Sequence, residues 1–201
     1  MRCIFVCFLL FLRKKKNFSM QKITLHDKTF RLFIPNDEIE KRIDAVAARL
    51  NEDYKDATDE DPVILLCTLN GAVIFAAELL KRLDFPLELK ACKLSSYEGT
   101  QSTGVVKTDV PLPANLEGKR VIIVEDIVDT GNTIVAMMQQ LRERKVRDAR
   151  VCTLLLKNEV YKKDVKLDYV AMEIPSRFIV GFGLDYDELG RNIKDIYVLD
   201  D

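Results

Sequence analysis

The sequence predicts an α/β fold in which a central, mainly parallel sheet is flanked by helices and terminal segments form a small cap. Three observations carry this. Strand-like runs at 63–68, 87–94, 121–124 and 151–156 alternate with segments of helical period through the middle of the chain. The runs at 63–68, 121–124 and 151–156 are mostly apolar along their length rather than alternating, as strands buried on both faces are. Several of them end in short polar turns, the place where open α/β sheets build sites. With 201 residues and 48% hydrophobic content, the chain can bury one full core.

Residues 23–25 and 30–34 read as short strands. Asn36 is a candidate N-cap, the acids Asp37 and Glu38 follow it, and Ile39, Ile43, Val46, Ala47 and Leu50 draw an apolar stripe at helical spacing. The polar stretch 51–61 reads as a loop. Pro62 opens the buried strand 63–68, residues 71–83 read as a helix, and 87–94 as another strand. Residues 95–108 are polar and contain glycine, with few core candidates. After the strand at 121–124 a helix is expected near Ile134, with Met137, Met138 and Leu141 on its apolar face. Strands at 151–156, 169–172, 178–183 and 193–199 complete the pattern. The short terminal strands are expected to cap the C-terminal ends of the sheet.

Charge is balanced, 31 Lys and Arg against 32 Asp and Glu, so no global field draws nucleic acid or an anionic membrane, and neither is expected as a partner. Cys67, Cys92 and Cys152 fall inside apolar strand patterns and read as small buried hydrophobes. The five cysteines show no CxxC spacing, which fits a reducing, cytoplasmic setting. The single histidine, His26, sits in a polar segment and reads as a surface residue, which leaves no histidine-based metal or triad chemistry. Residues 4–12 are almost wholly apolar and 13–16 are basic. That run is too short to span a membrane as a helix, and most of its charge follows the apolar part, the reverse of a secretory signal. Residues 1–19 are therefore expected to be a non-structural extension, with Met20 the working start and 20–201 a single domain. An uncleaved short anchor is the alternative.

The most informative stretch runs from Val121 to Thr133, VIIVEDIVDTGNT. A buried strand ends in the acids Glu125 and Asp126, and then come Ile127 and Val128. Asp129, Thr130, Gly131, Asn132 and Thr133 form a turn that enters a helix. Such a turn can cradle a phosphate with its backbone N–H groups, and the helix dipole favours the charge. Adjacent residues at a strand end point to opposite sides, so the two acids do different jobs unless the chain twists. They are placed for sugar hydroxyls or a hydrated divalent metal. Two acids at a strand end are ordinarily just solvated, and Asp-Thr-Gly also occurs in aspartic proteases. A protease would need a second such aspartate and a β-rich lobe, whereas here a helix follows.

These thirteen residues resemble the signature of the type I phosphoribosyltransferases. The resemblance implies that family's fold, with Glu125 and Asp126 facing the ribose diol of phosphoribosyl pyrophosphate and Asp129 to Thr133 around the 5-phosphate. Four further stretches extend it toward the hypoxanthine-guanine branch. Leu69, Asn70 and Gly71, after the strand at 63–68, match a pyrophosphate-binding turn that often holds a non-proline cis peptide. Many members carry lysine where this chain has Asn70. Ser95, Ser96 and Tyr97 resemble a closing flap that keeps water from a reactive sugar cation. Lys157 at the end of 151–156 would donate to O6 of a 6-oxopurine and mismatch the amino group of adenine.

In the segment 173–186, Phe178 would stack on the base with Ile127 on its other face, and Ile179 would offer backbone groups. Asp185, with Glu125 and Asp126, would bind Mg2+, and Arg191 would meet pyrophosphate. The implied reaction moves ribose 5-phosphate to N9 of hypoxanthine or guanine, with Asp129 handling the proton at N7. Members are often homodimers or homotetramers. Three rivals stand beside this reading: a nucleotide- and RNA-binding regulator of the same fold, a xanthine-preferring enzyme, and a non-catalytic nucleotide-binding domain.

Overall fold

The computed structural model describes residues 21–94 and 108–200. The extension 1–19, Met20 and the flap residues Ser95, Ser96 and Tyr97 lie outside the described residues.

The chain opens with β1 (Lys22–Leu25), β2 (Lys28–Ile34) and α1 (Asn36–Asp53). It continues through β3 (Val63–Thr68), α2 (Val73–Leu80), β4 (Leu87–Leu94), β5 (Thr108–Val110) and β6 (Arg120–Val128). Then follow α3 (Asn132–Glu143), β7 (Asp148–Leu156), β8 (Tyr169–Glu173), β9 (Ile179–Val180) and β10 (Ile196–Leu199). The main sheet has the order β5-β4-β3-β6-β7-β8, parallel throughout except for β5. A second, antiparallel sheet, β1-β2-β10-β9, joins both ends of the chain. The expected parallel sheet and terminal cap are both present.

Continuous apolar runs make this sheet because both its faces are covered. Leu65, Cys67, Ile122, Val124 and Leu154 pack on one side with α1 and α2. Ile64, Leu66, Val121, Ile123 and Val151 pack on the other with Ile134, Met137 and Leu141 of α3. The three strand cysteines are free and buried, as their apolar surroundings predict.

Several boundaries differ from expectation. Pro35, not Asn36, is the N-cap of α1, and its carbonyl accepts from the amides of Glu38 at 3.0 Å and Ile39 at 3.2 Å. The Asn36 amide donates to Asp195 Oδ1 at 2.8 Å, so a residue from the other end of the chain completes the cap. The helix then runs to Asp53, past the expected stop, because Asn51 turns its side chain to the Arg82 carbonyl and the Asp84 amide instead of breaking it. α2 is shorter than 71–83: Gly71 and Ala72 form the turn before it, and tighter bonds from Arg82 to Leu79 and from Leu83 to Leu80 close its end. α3 begins at Asn132, two residues before Ile134, behind a left-handed Gly131. β6 reaches Val128, so Glu125 and Asp126 lie within the strand rather than beyond it. The strand at 178–183 shrinks to Ile179–Val180, because Gly181, Phe182 and Gly183 take positive φ and turn the chain. Ile193 lies before β10 and accepts the Phe182 amide at 2.7 Å.

Candidate active site

β3 leads through α2 to β4 on one side, and β6 leads through α3 to β7 on the other. The order reverses between β3 and β6, which places a crevice at their C-terminal ends. Thr68 Oγ1 fastens the two ends by donating to the Val124 carbonyl at 2.8 Å. Beyond Thr68 the Leu69–Asn70 peptide is cis, as the resemblance led us to expect, and Asn70 is exposed. A Cβ on Gly71 would lie 1.7 Å from Asp126 Oδ2, and one on Gly183, at φ 99°, would lie 2.1 Å from the Gly71 carbonyl oxygen. Three segments therefore meet with no side chain between them: β6, the turn after β3, and the connection from β9 to β10.

Regular alternation breaks at Glu125 and Asp126: Val124 and Ile127 both pack on the side of α1 and α2, and Asp126 has no partner in the β6–β7 register. Glu125 is buried, and burial followed by the charge of Asp126 pushes its pKa well above the usual carboxylate range. Asp126 rises to about 6, chiefly through burial, with Asp185 adding repulsion. The amide of Ile127, donating at 2.9 Å, and the nearby Arg191 act in the opposite sense. Arg191 itself binds Asp185 Oδ1 at 2.9 Å and donates to the Gly183 carbonyl at 2.9 Å. The turn after β3, Asp126, Asp185 and Arg191 thus share one corner.

Asp129 and Thr130 form a bend, and Gly131, at φ 78°, is the N-cap of α3. No side chain among the described residues caps that helix end, and the first bond back to the loop is Val135 N to Gly131 O at 3.0 Å. Among the described residues the amides of Asn132, Thr133 and Ile134 meet no acceptor, the open helix end at which anions bind in general. Tyr161 seats this loop from behind, since a Cβ on Gly131 would lie 2.4 Å from its ring. No sequence pattern singles out Tyr161.

Lys157 at the end of β7 reaches Asp129 Oδ2 at 2.7 Å. The lysine is 14% exposed and the aspartate 44%. Phe178 is 44% exposed, with its ring 6.0 Å from buried Phe30 and 5.6 Å edge-on from Tyr186. Ile127 is half-buried, and Ile179 is buried in β9, opposite Val198. Tyr186 follows Asp185 in the sequence, and only the fold shows its contact with Phe178. His26 is exposed as expected, yet its ring lies edge-on to Tyr186 at 5.5 Å.

Among the described residues no group of three or more His, Cys, Asp or Glu side chains is arranged to hold a metal by itself, so Glu125, Asp126 and Asp185 do not form a closed cage. No helix among them is long and apolar enough to cross a membrane.

A switch-point crevice with a glycine turn opening a helix, two adjacent carboxylates and a lysine–aspartate pair defines an α/β protein with its site at the C-terminal ends of the sheet. The phosphoribosyl transferase domain model matches residues 35–187. A hypoxanthine-guanine-xanthine phosphoribosyltransferase of Tritrichomonas foetus is 41% identical over 182 residues, covering 90% of this chain and 97% of its own. A hypoxanthine-guanine phosphoribosyltransferase of Staphylococcus epidermidis is 38% identical, covering 87% and 96%. In structure, a hypoxanthine phosphoribosyltransferase variant from Trypanosoma cruzi, solved as a ternary substrates complex, superposes with TM-score 0.78 at 35% identity, covering 84% of this chain and 94% of its own. The chain belongs to the phosphoribosyltransferase family.

Proposed function

We propose that this protein is a purine salvage enzyme. It transfers ribose 5-phosphate from phosphoribosyl pyrophosphate to N9 of hypoxanthine or guanine, giving IMP or GMP and pyrophosphate. The observation that carries the reading is the pair of Lys157 and Asp129 at 2.7 Å, beside the phosphate loop. O6 and N7 are neighbours on one edge of a 6-oxopurine. An ammonium that donates to O6 and a carboxylate that accepts the N7 proton match that edge, and adenine's amino group finds no acceptor in a lysine. The family match and the substrates named for the relatives support the same reading.

Each part has a role. The amides of the loop at Asp129 to Thr133 hold the 5-phosphate. Glu125 and Asp126 accept from the ribose hydroxyls. The turn of Leu69, Asn70 and Gly71, together with Arg191, holds pyrophosphate. Phe178 and Ile127 sandwich the base, and Ile179 offers backbone groups to its edge. As the C1–oxygen bond to pyrophosphate breaks and the N9–C1 bond forms, Asp129 takes or holds the proton at N7. Such a group contributes ~10²–10⁴-fold, and positioning supplies much of the rest.

The carboxylates of Asp126 and Asp185 repel one another with Arg191 nearby, an oxygen-donor set suited to a hard cation. Asp185, with Glu125 and Asp126, would hold Mg2+ jointly with water and substrate oxygens. Bound there, the ion would neutralise charge on the leaving pyrophosphate.

The same proposal covers a homodimer or homotetramer in the cytoplasm. Val73, Ile74 and Leu89 are exposed apolar side chains available for association, and buried free cysteines suit a reducing compartment. Sedimentation at working concentration tests the assembly, and a monomer would overturn that part.

The deciding experiment is a spectrophotometric assay with Mg2+ and phosphoribosyl pyrophosphate against hypoxanthine, guanine, xanthine and adenine separately. Turnover of hypoxanthine or guanine with adenine inert is the expected result. Folded protein that binds GMP and turns over no base would move the reading to a binding module.

A further inference from the structure

The β1–β2 hairpin lies far from the signature in sequence, yet its tip reaches the base side of the site. Leu25 pairs with Lys28 to close the hairpin, and His26 takes φ 49° at the turn. Asp27 Oδ1 accepts from Tyr186 Oη at 2.7 Å across 159 residues of sequence. Lys28 Nζ stands over the Tyr186 ring, 5.4 Å from its centroid, and the His26 ring meets it edge-on at 5.5 Å. His26 Nε2 also lies 3.2 Å from the Asp187 carbonyl oxygen. The whole tip thus grips Tyr186 and the residue after it.

Tyr186 in turn meets the exposed ring of Phe178 edge to face, at 5.6 Å and 87°. An aromatic ring standing at a surface rotates broadly about its last torsion. Stacking rewards one plane of that ring, so whatever fixes the plane before binding lowers the ordering cost of binding. Phe30 supports Phe178 from the core side at 6.0 Å, and Tyr186 supports it from the flank.

We propose that the hairpin tip, through the hydrogen bond from Tyr186 to Asp27, is a clamp that positions Phe178 for the purine and thereby sets affinity for the base. Tyr186 and Asp27 are positioning residues and need not touch substrate. The inference rests on the reading of Phe178 as the base-stacking ring. It makes a specific demand: loss of the clamp weakens the base and leaves phosphoribosyl pyrophosphate alone, because the phosphate loop and the turn after β3 belong to other segments, and Asp185 and Arg191, though near Tyr186 in the chain, are held by their own pairing at 2.9 Å and by the Gly183 carbonyl.

The test is steady-state kinetics of Asp27→Ala, Tyr186→Phe, the double variant and Asp27→Asn, with the Kd for GMP from calorimetry and the melting temperature recorded for each. Asp27→Ala and Tyr186→Phe should each raise KM for guanine roughly three- to tenfold, the size of an aromatic edge contact. KM for phosphoribosyl pyrophosphate and kcat should stay within about twofold. The double variant should be no worse than either single change, since both remove one bond. Asp27→Asn, whose amide oxygen still accepts, should restore the wild-type value. An unchanged guanine KM, or equal rises for both substrates, would overturn the clamp. If the wild-type protein binds GMP and turns over no base, the enzyme reading fails by itself. The GMP Kd then decides the clamp: a rise in Asp27→Ala supports it and no change overturns it. A wild-type protein that binds no GMP overturns both.

Discussion

Asp129 and Lys157 lie on neighbouring strand ends and neutralise each other across 2.7 Å. In water such a pair is worth little. On the proposed reading its value is geometric, since it keeps a donor and an acceptor at the spacing of two adjacent purine atoms. Replacing Asp129 by Asn keeps the shape and removes the proton acceptor. Turnover should fall by about 10²–10⁴-fold, while GMP, which has no proton left to surrender at N7, should bind with little change. Stopped-flow or coupled assays, read beside calorimetric GMP binding, check both halves. Unchanged turnover would remove the role assigned to Asp129. Gly71 and Gly183 act at the same scale by absence, since their missing Cβ atoms let two loops close on Asp126.

At the scale of elements, the loop of Asp129 to Thr133 is held from both ends. β6 delivers it, α3 begins with Gly131 at φ 78°, and Tyr161 from the connection after β7 packs against its back. Gly131→Ala should therefore lose both the left-handed backbone and the space beside the ring. Gly118 is the control: it has φ 70° and nothing within 4 Å of an added Cβ. Gly118→Ala should cost only the backbone strain, about 1–2 kcal/mol, or a few degrees in Tm. Gly131→Ala should cost more than that and also raise KM for phosphoribosyl pyrophosphate. Equal effects of the two substitutions would mean that Tyr161 simply moves aside. The strands and the signature loop were legible in the sequence because both are local: an apolar run between punctuation, then a fixed order of residue types. The long-range parts were not. The cap of α1 by Asp195, the Tyr161 seat and the hairpin grip on Tyr186 each join residues whose own neighbours carry no trace of the partner. Phe178 was marked as a candidate for base stacking only by its place in a family segment, and its supports were readable only from the fold.

The molecule as a whole is nearly neutral, with a formal charge of −1, so general self-repulsion contributes little to its pH dependence near neutrality. Buried carboxyls matter more, and among the described residues Glu125 and Asp126 in β6 are both raised by burial. Asp126 is raised from 3.8 to about 6, and Glu125 is raised as well. A carboxyl that holds its proton more tightly when folded stabilises the fold fully below its unfolded value. That contribution is lost as pH rises through the folded one. The ligand-free protein should therefore become more stable as pH falls from about 7.5 to about 5, by on the order of 1–3 kcal/mol. Exposed carboxylates held low, such as Asp61 beside Arg147, act in the opposite sense, and only at more acid pH. Asp126→Asn should be more stable than wild type at neutral pH and nearly flat across this window. Thermal melts across the range decide it, and a wild-type profile that falls toward pH 5 would sink the argument. On the proposed reading, ribose hydroxyls would donate to these carboxylates and favour their ionised form, so the stabilisation given by bound GMP should grow as pH rises through about 6. A GMP-induced shift in melting temperature that is constant with pH would separate these acids from ribose recognition.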